Sequence, residues 1–178
     1  GRIRRSAKDL NRKDPKIRSA GESAEPRVIT KANISAPYTG TGRIGDSALA
    51  ARLDRELQGQ ILFDTASRGR YSTDASIYQI EPIGVVIPEG EADIIRAIQI
   101  AGDEGIPILP RGAGTSQCGQ TVGEALVLDV SKKLAGIISF DKENRRVTVQ
   151  PGVVLDQLNA YLKPHGLYFP VDVSTSSR

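Results

Sequence analysis

Between Ile83 and Val130 the chain sets out three short apolar runs, one amphipathic stretch and one glycine-rich loop, and this order restricts it to a sheet covered by helices. Ile83 and Val85–Ile87, bounded by Pro82 and Pro88, form the first run. Residues 89–104 read as a helix, with Ile94, Ile95, Ile98 and Ala101 on one stripe and Glu89, Glu91 and Asp93 complementing its positive start. Gly105 stops the helix, and Ile106–Leu109 is the second run. A crossover of that length predicts two parallel neighbouring strands joined right-handedly. After the loop, Ala125–Val130 reads as a third buried strand.

The flanks are less constrained. Leu49, Leu53 and Leu57 predict a helix from Asp46, ended by Gly59, with Ile61–Phe63 starting a connection. Ile137–Phe140 and Arg145–Gln150 read as a meander, and Pro151–Gly152 turns into a second helix carrying Val154, Leu155, Leu158 and Leu162 on one face. Pro164 and Gly166 end it. The predicted class is α+β, with a βαβ start and a mixed sheet.

Charge divides the chain. Residues 1–45 hold 11 basic and 4 acidic residues, while the remainder is acidic on balance, so the overall +3 belongs to the first segment. That segment lacks periodicity and is read as a basic, poorly ordered extension. A basic tail can bind nucleic acid or anionic lipid, but a solvated extension is the simpler reading, and no nucleic-acid partner is expected. Lys8–Asp9 and Lys13–Asp14–Pro15 interrupt a transit-peptide pattern. Gly1 in place of Met suggests that the first residue is not the native start. One Cys excludes an internal disulfide and a multi-cysteine metal site, which points to a reducing compartment. With no apolar stretch near ~20 residues, the expected location is cytoplasmic or peripheral to the inner membrane.

Chemistry concentrates in Pro110–Arg111–Gly112–Ala113–Gly114–Thr115–Ser116–Gln117–Cys118–Gly119–Gln120–Thr121. Small residues with free φ let successive backbone N–H groups converge on a phosphate or diphosphate. Arg111 is positioned in sequence to add charge, and Thr115 and Ser116 to add hydroxyls. A dinucleotide fingerprint would need glycine where Gln117 stands, and it would open a helix rather than a strand. A P-loop from Gly114 to Thr121 would need lysine where Gln120 stands, and losing the charge that meets the terminal phosphates argues against an NTPase.

The runs YSTDASIYQIEP, PRGAGTSQCGQ, LVLDVS and VTVQPGVVLDQLNAYLKPHGLYFPVDVST, in this order, resemble the FAD-linked oxidases of the vanillyl-alcohol-oxidase/PCMH-type superfamily. Within it the chain is similar to the D-lactate dehydrogenase/glycolate oxidase group, notably long bacterial forms with a C-terminal iron–sulfur module. The resemblance covers about residues 48–178. It implies a PCMH-type FAD-binding domain in which Pro110 and Arg111–Ser116 wrap the FAD diphosphate, Gly119 and Gln120 lie near the flavin, and the stretch with Pro170, Asp172, Ser174 and Thr175 approaches FAD again. Thr115, at a position where some relatives carry the His that attaches FAD covalently, implies noncovalent FAD. It further implies oxidation of a 2-hydroxy acid, of the D-lactate, glycolate or D-2-hydroxyglutarate class, with electrons passed to an iron–sulfur module, quinone or cytochrome. The family continues beyond the position matching Arg178, so residues 46–178 read as the N-terminal part of the domain, truncated, with its remaining residues elsewhere in the enzyme or in a second chain. The catalytic residues are expected beyond Arg178, and any iron–sulfur cluster in a part not present here. Alone, this part is expected to be inactive, with an unpaired sheet edge.

Two other readings stay open: a non-catalytic nucleotide-binding or scaffold fragment, and an FAD enzyme of the alkyl-dihydroxyacetone-phosphate synthase type. Among single residues, His165 reads as a structural or solvated helix end, Cys118 as filling, and Asp129 as a turn or cap residue. Asp74, with Tyr78 nearby, is balanced between an Asx turn and a flavin-pocket role. Lys132–Lys133 and Arg145–Arg146 read as solvated hairpin ends.

Overall fold

The computed structural model describes residues 40–178, so most of the basic extension lies outside the described residues. Residues 40–45 lie against the folded part: the Gly45 amide donates to the Ile83 carbonyl (2.9 Å), and Arg43 reaches Glu104 (3.0 Å). Asp46 then caps helix α1 (Ser47–Glu56) by accepting from the amides of Ala48 and Leu49. Leu49 and Leu53 are buried on one face of α1, with Leu57 just beyond it.

The segment after Gly59 is more than a connection. Gln60–Leu62 forms strand β1, which pairs antiparallel with β2 (Gly84–Ile87). Between them lies α2 (Thr65–Tyr71), a short polar helix whose cap, Asp64, accepts from the Ser67 amide (2.8 Å). It has no apolar stripe, so periodicity does not reveal it; the Asp64 cap followed by helix-compatible residues is the only local signal.

The βαβ reading holds in direction and fails in adjacency. Helix α3 (Glu91–Glu104) follows β2 and leads to β3 (Ile108–Arg111), but both strands pair parallel with β4 (Leu126–Asp129), giving the order β1-β2-β4-β3. Strand β4 is buried along its whole length and takes the centre, where its apolar side chains are covered on both faces. Strand β3 contains Pro110, which lacks an N–H for a second neighbour, and lies at the edge.

The stripe of α3 also differs from the expectation. Asp93, Ala97, Ile100 and Ala101 are buried and Ile94 packs against the core, whereas Ile95 and Ile98 are each 51% exposed. Isoleucines on several sides of α3 leave the sequence period ambiguous. Asp93 faces inward because its carboxylate accepts from the amides of Gln58 (3.0 Å) and Glu89 (2.9 Å), tying the turn before β1 to the start of α3. Across the α1–α3 seam, Arg52 pairs with Asp103 (2.6 Å) and Glu104 (2.7 Å). The core between helices and sheet consists mainly of Leu49, Leu53, Ile83, Val86, Ile100 and Leu126. Burial of each such side chain contributes roughly 1.5–3 kcal/mol.

Strands β5 (Ile137–Asp141) and β6 (Arg146–Val149) form a separate antiparallel hairpin, with Arg145 in the left-handed region at its turn. Helix α4 (Leu155–Leu162) buries Leu158 and Leu162, and a 3-10 turn at Lys163–His165 ends it. The architecture is α+β with a mixed sheet.

Candidate functional site

Strands β2, β4 and β3 run parallel, so their carboxyl ends open on one side of the sheet. In such sheets ligands bind in the crevice outside those ends. Here the crevice is a cleft of about 460 Å³ bordered by Ile87, Asp129, Arg111, Gly112 and Ala113, with Tyr71 on the α2 side. A second cleft of about 320 Å³ shares Gly112, Ala113, Ser131 and Lys132 with the first and continues to Pro151–Val154 and Arg178.

The loop after β3 supplies the donors. The β3–β4 ladder ends with the Val130 amide donating to the Arg111 carbonyl (3.0 Å). Beyond that point, among the described residues, the amides of Gly112 to Gln117 donate to no protein acceptor. A run of unpaired N–H groups beside a cleft is a site that an anion can complete.

Arg111 does not add its charge in the way the sequence suggests. Its guanidinium turns back under the loop and donates to the carbonyls of Thr121 (2.9 Å), Thr73 (2.8 Å) and Tyr71 (3.2 Å). It also lies over the Tyr71 ring, 5.2 Å from the centroid. Arg111 therefore braces both ends of the loop against the end of α2. Gly114 permits this arrangement: its φ is +68°, and a Cβ there would stand 2.5 Å from Arg111 Nη2.

The rest of the loop is held by its own hydroxyls and one carboxylate. Ser116 Oγ accepts from the amides of Cys118 (3.3 Å) and Gln120 (3.2 Å) and donates to the Gln120 side chain, so both predicted polar residues are engaged with each other. Thr115 has no side-chain partner among the described residues. Gly119 leaves room for the Tyr78 ring, which a Cβ would meet at 2.6 Å. Asp74 forms an Asx turn, accepting from the Ser76 amide (2.8 Å), and also accepts from Thr121 Oγ1 (2.9 Å). Cys118 is an exposed thiol.

The Ser76 hydroxyl, with the Ser76 amide and Thr121, holds the Asp74 carboxyl down at about 2 against the opposing effect of desolvation. A depressed folded pKa stabilises above the unfolded value, near 3.8, and its contribution disappears as pH falls through about 2. The expected result is a stability gap between wild type and Asp74→Asn that is constant above about pH 4 and closes towards pH 2. Denaturant unfolding across that range measures it; a gap independent of pH would show that the Asp74 charge does not tie the loop.

Asp129 is 2% exposed at the end of β4. One oxygen accepts from the Ser131 amide (2.9 Å) and hydroxyl (2.6 Å), the expected turn, and the other accepts from the Tyr71 hydroxyl (2.7 Å). Burial first, and the bond to Asp129 second, push the Tyr71 phenol up to about 12. Sequence reasoning missed Tyr71 because α2 itself was not legible.

None of the later candidates lines either cleft, and of the last turn only Arg178 reaches the second one. Thr175 accepts from the Arg178 amide (3.0 Å), Ser176 accepts from the Asp156 amide at the start of α4 (3.0 Å), and Arg178 borders the second cleft. Asp172 and Ser174 are exposed, and Pro170 borders a different groove with Phe140, Arg146 and Leu162. His165 lies tilted against Phe140, with centroids 4.8 Å apart, and the described residues contain no cluster of His, Cys, Asp and Glu suited to a metal. Lys132 and Lys133 are exposed as expected, but their turn joins β4 to β5 of a different sheet, so neither is a hairpin end; Lys133 pairs with Glu89 (3.2 Å) and Lys132 lies at the clefts.

Residues 82–178, more than half of the chain, match the family model described as an FAD binding domain. The chain belongs to the FAD-binding domain family. The D-2-hydroxyglutarate dehydrogenase of Pseudomonas putida is 41% identical over 133 residues, which are 73% of this chain and 13% of that protein. The glycolate oxidase subunit GlcD of Bacillus subtilis is 38% identical over 125 residues, 67% of this chain and 26% of its own. The chain thus spans a small part of the relatives it matches. Among solved structures, an alkyldihydroxyacetonephosphate synthase superposes with a TM-score of 0.63 at 17% identity, over 71% of this chain and 26% of that one. At that identity the likeness concerns the fold, which is the PCMH-type FAD-binding fold. The unpaired amides of Gly112 and Ala113, which line both clefts, and the cations beside them fit the diphosphate of such a cofactor.

Proposed function

We propose that this chain is the FAD-holding portion of a flavin-dependent dehydrogenase acting on a 2-hydroxy acid of the D-2-hydroxyglutarate, D-lactate or glycolate class. The observation that carries the reading is the row of unpaired amides from Gly112 to Gln117 at the carboxyl end of the parallel strands. Support for the substrate class comes from relatives named for D-2-hydroxyglutarate and glycolate.

Bound FAD would supply the two-electron acceptor for the hydrogen on the carbon that bears the hydroxyl. The chain's own part is to bind and orient. Gly112–Ser116 would donate backbone N–H groups to the diphosphate, Arg111 and Asp74 would keep the loop in that shape, and Tyr71 with Asp129 would fix the wall beside it. Attachment would be noncovalent, since Thr115 offers no nucleophile of the His type. No residue of this chain is given the role of general base. Electrons would leave to an iron–sulfur module, a quinone or a cytochrome, in a protein located in the cytoplasm or peripheral to the inner membrane.

Incubation with FAD followed by gel filtration is expected to give a yellow protein that releases free FAD on denaturation. A folded chain that elutes colourless would contradict the reading. In the protein at its full length, reduction of an artificial dye by D-2-hydroxyglutarate, D-lactate and glycolate compares the substrates, and inertness towards all three would remove the 2-hydroxy-acid assignment.

A further inference from the structure

Among the described residues, four cationic side chains border the clefts, and they are not equivalent. Arg111 is held by three carbonyls and the Tyr71 ring. Arg70 borders the first cleft only and donates to Ser67 Oγ (2.9 Å). Arg178 borders the second cleft only. Lys132 borders both, at the junction where Gly112 and Ala113 present their unpaired amides.

Its nearest carboxylate in sequence, Asp129, is occupied by Tyr71 and Ser131 and forms no ion pair with it. Lys133, the next residue, is the opposite case, paired with Glu89 and absent from both cleft linings. Two adjacent lysines in one turn thus face different tasks.

We infer that Lys132 is the cation this chain presents to the cofactor diphosphate, while Arg111 is a positioning residue that shapes the loop without touching phosphate. The inference rests on the proposed FAD site. A diphosphate held by neutral amides alone keeps its charge uncompensated, and an ammonium on a flexible stem at the junction of the two clefts can meet it wherever along the shared rim it lies. Such a contact is partly exposed, so salt screens it.

The test is a set of FAD and ADP titrations of the full chain, as wild type, Lys132→Gln, Lys132→Arg and Lys133→Gln, at low and high ionic strength. Lys132→Gln is expected to weaken both ligands about fivefold at low salt, with the difference shrinking at high salt. Lys132→Arg restores affinity, and Lys133→Gln binds as wild type with a small loss of stability at most. Equal affinity of Lys132→Gln and wild type overturns the inference while leaving the FAD site intact. Equal losses in Lys132→Gln and Lys133→Gln also overturn it, by showing a general charge effect. Wild type that takes up neither FAD nor ADP rejects the underlying site instead.

Discussion

Valine in place of Gly114 is expected to lower FAD affinity about 100-fold while the sheet remains folded. Gly114 sits at φ +68°, a region that costs an ordinary residue roughly 1–2 kcal/mol and a β-branched one more. Its new Cβ would stand 2.5 Å from Arg111 Nη2, so the guanidinium must leave at least some of the three carbonyls it holds, at about 1 kcal/mol each. Together these disfavour the binding-competent loop by about 3 kcal/mol, and affinity falls by the fraction of loops that no longer present the amides correctly. Fluorescence titration with FAD, beside circular-dichroism melting, separates loss of the site from loss of the fold. Undiminished affinity in a folded Gly114→Val protein would mean that this loop conformation does not hold the cofactor.

The second large effect concerns stability. Asp129→Ala removes a buried acceptor of three hydrogen bonds and leaves the Tyr71 hydroxyl and the Ser131 groups to find water at the cleft edge. A loss of about 3 kcal/mol is expected, combining charge-assisted bonds with partly rehydrated partners. For a folded unit of this size that corresponds to roughly 10 °C in Tm, measured by calorimetry. The same pair gives an alkaline signature. Tyr71 has a folded pKa raised from 10.0 to about 12, so its contribution is complete below pH 10 and lost as pH rises through about 12. Tyr71→Phe should therefore lose less stability than Asp129→Ala, and lack this alkaline fall. An Asp129→Ala protein that melts with wild type would refute the role given to the carboxylate.

The parts legible in the sequence are those set by local rules. Asp46 with Leu49 and Leu53 announces α1, the apolar runs at Val85–Ile87 and Leu126–Leu128 announce buried strands, and the glycines after Pro110 announce a loop rather than a helix. What escaped depends on tertiary context. No local feature says that β4 inserts between β2 and β3, because the order of parallel strands is decided by which strand gains most from burial on both faces. The face that α3 buries is fixed by the sheet beneath it, not by its isoleucines. Arg111 was legible as a charge and not as a brace, since the carbonyls it meets at Tyr71 and Thr73 come about 40 positions earlier. Tyr71 was invisible on two counts: it ends α2, which has no apolar stripe, and its partner Asp129 lies 58 positions away.

Titration of the isotope-labelled chain with FAD, followed by amide nuclear magnetic resonance, addresses the loop directly. The amide signals of Gly112, Ala113, Gly114, Thr115 and Ser116 should move together and saturate with the bound fraction, and ADP should move the same set, because both ligands carry the diphosphate. Saturable FAD binding that leaves those five signals in place, while others shift, would contradict the assignment of the loop after β3 as the cradle of the cofactor.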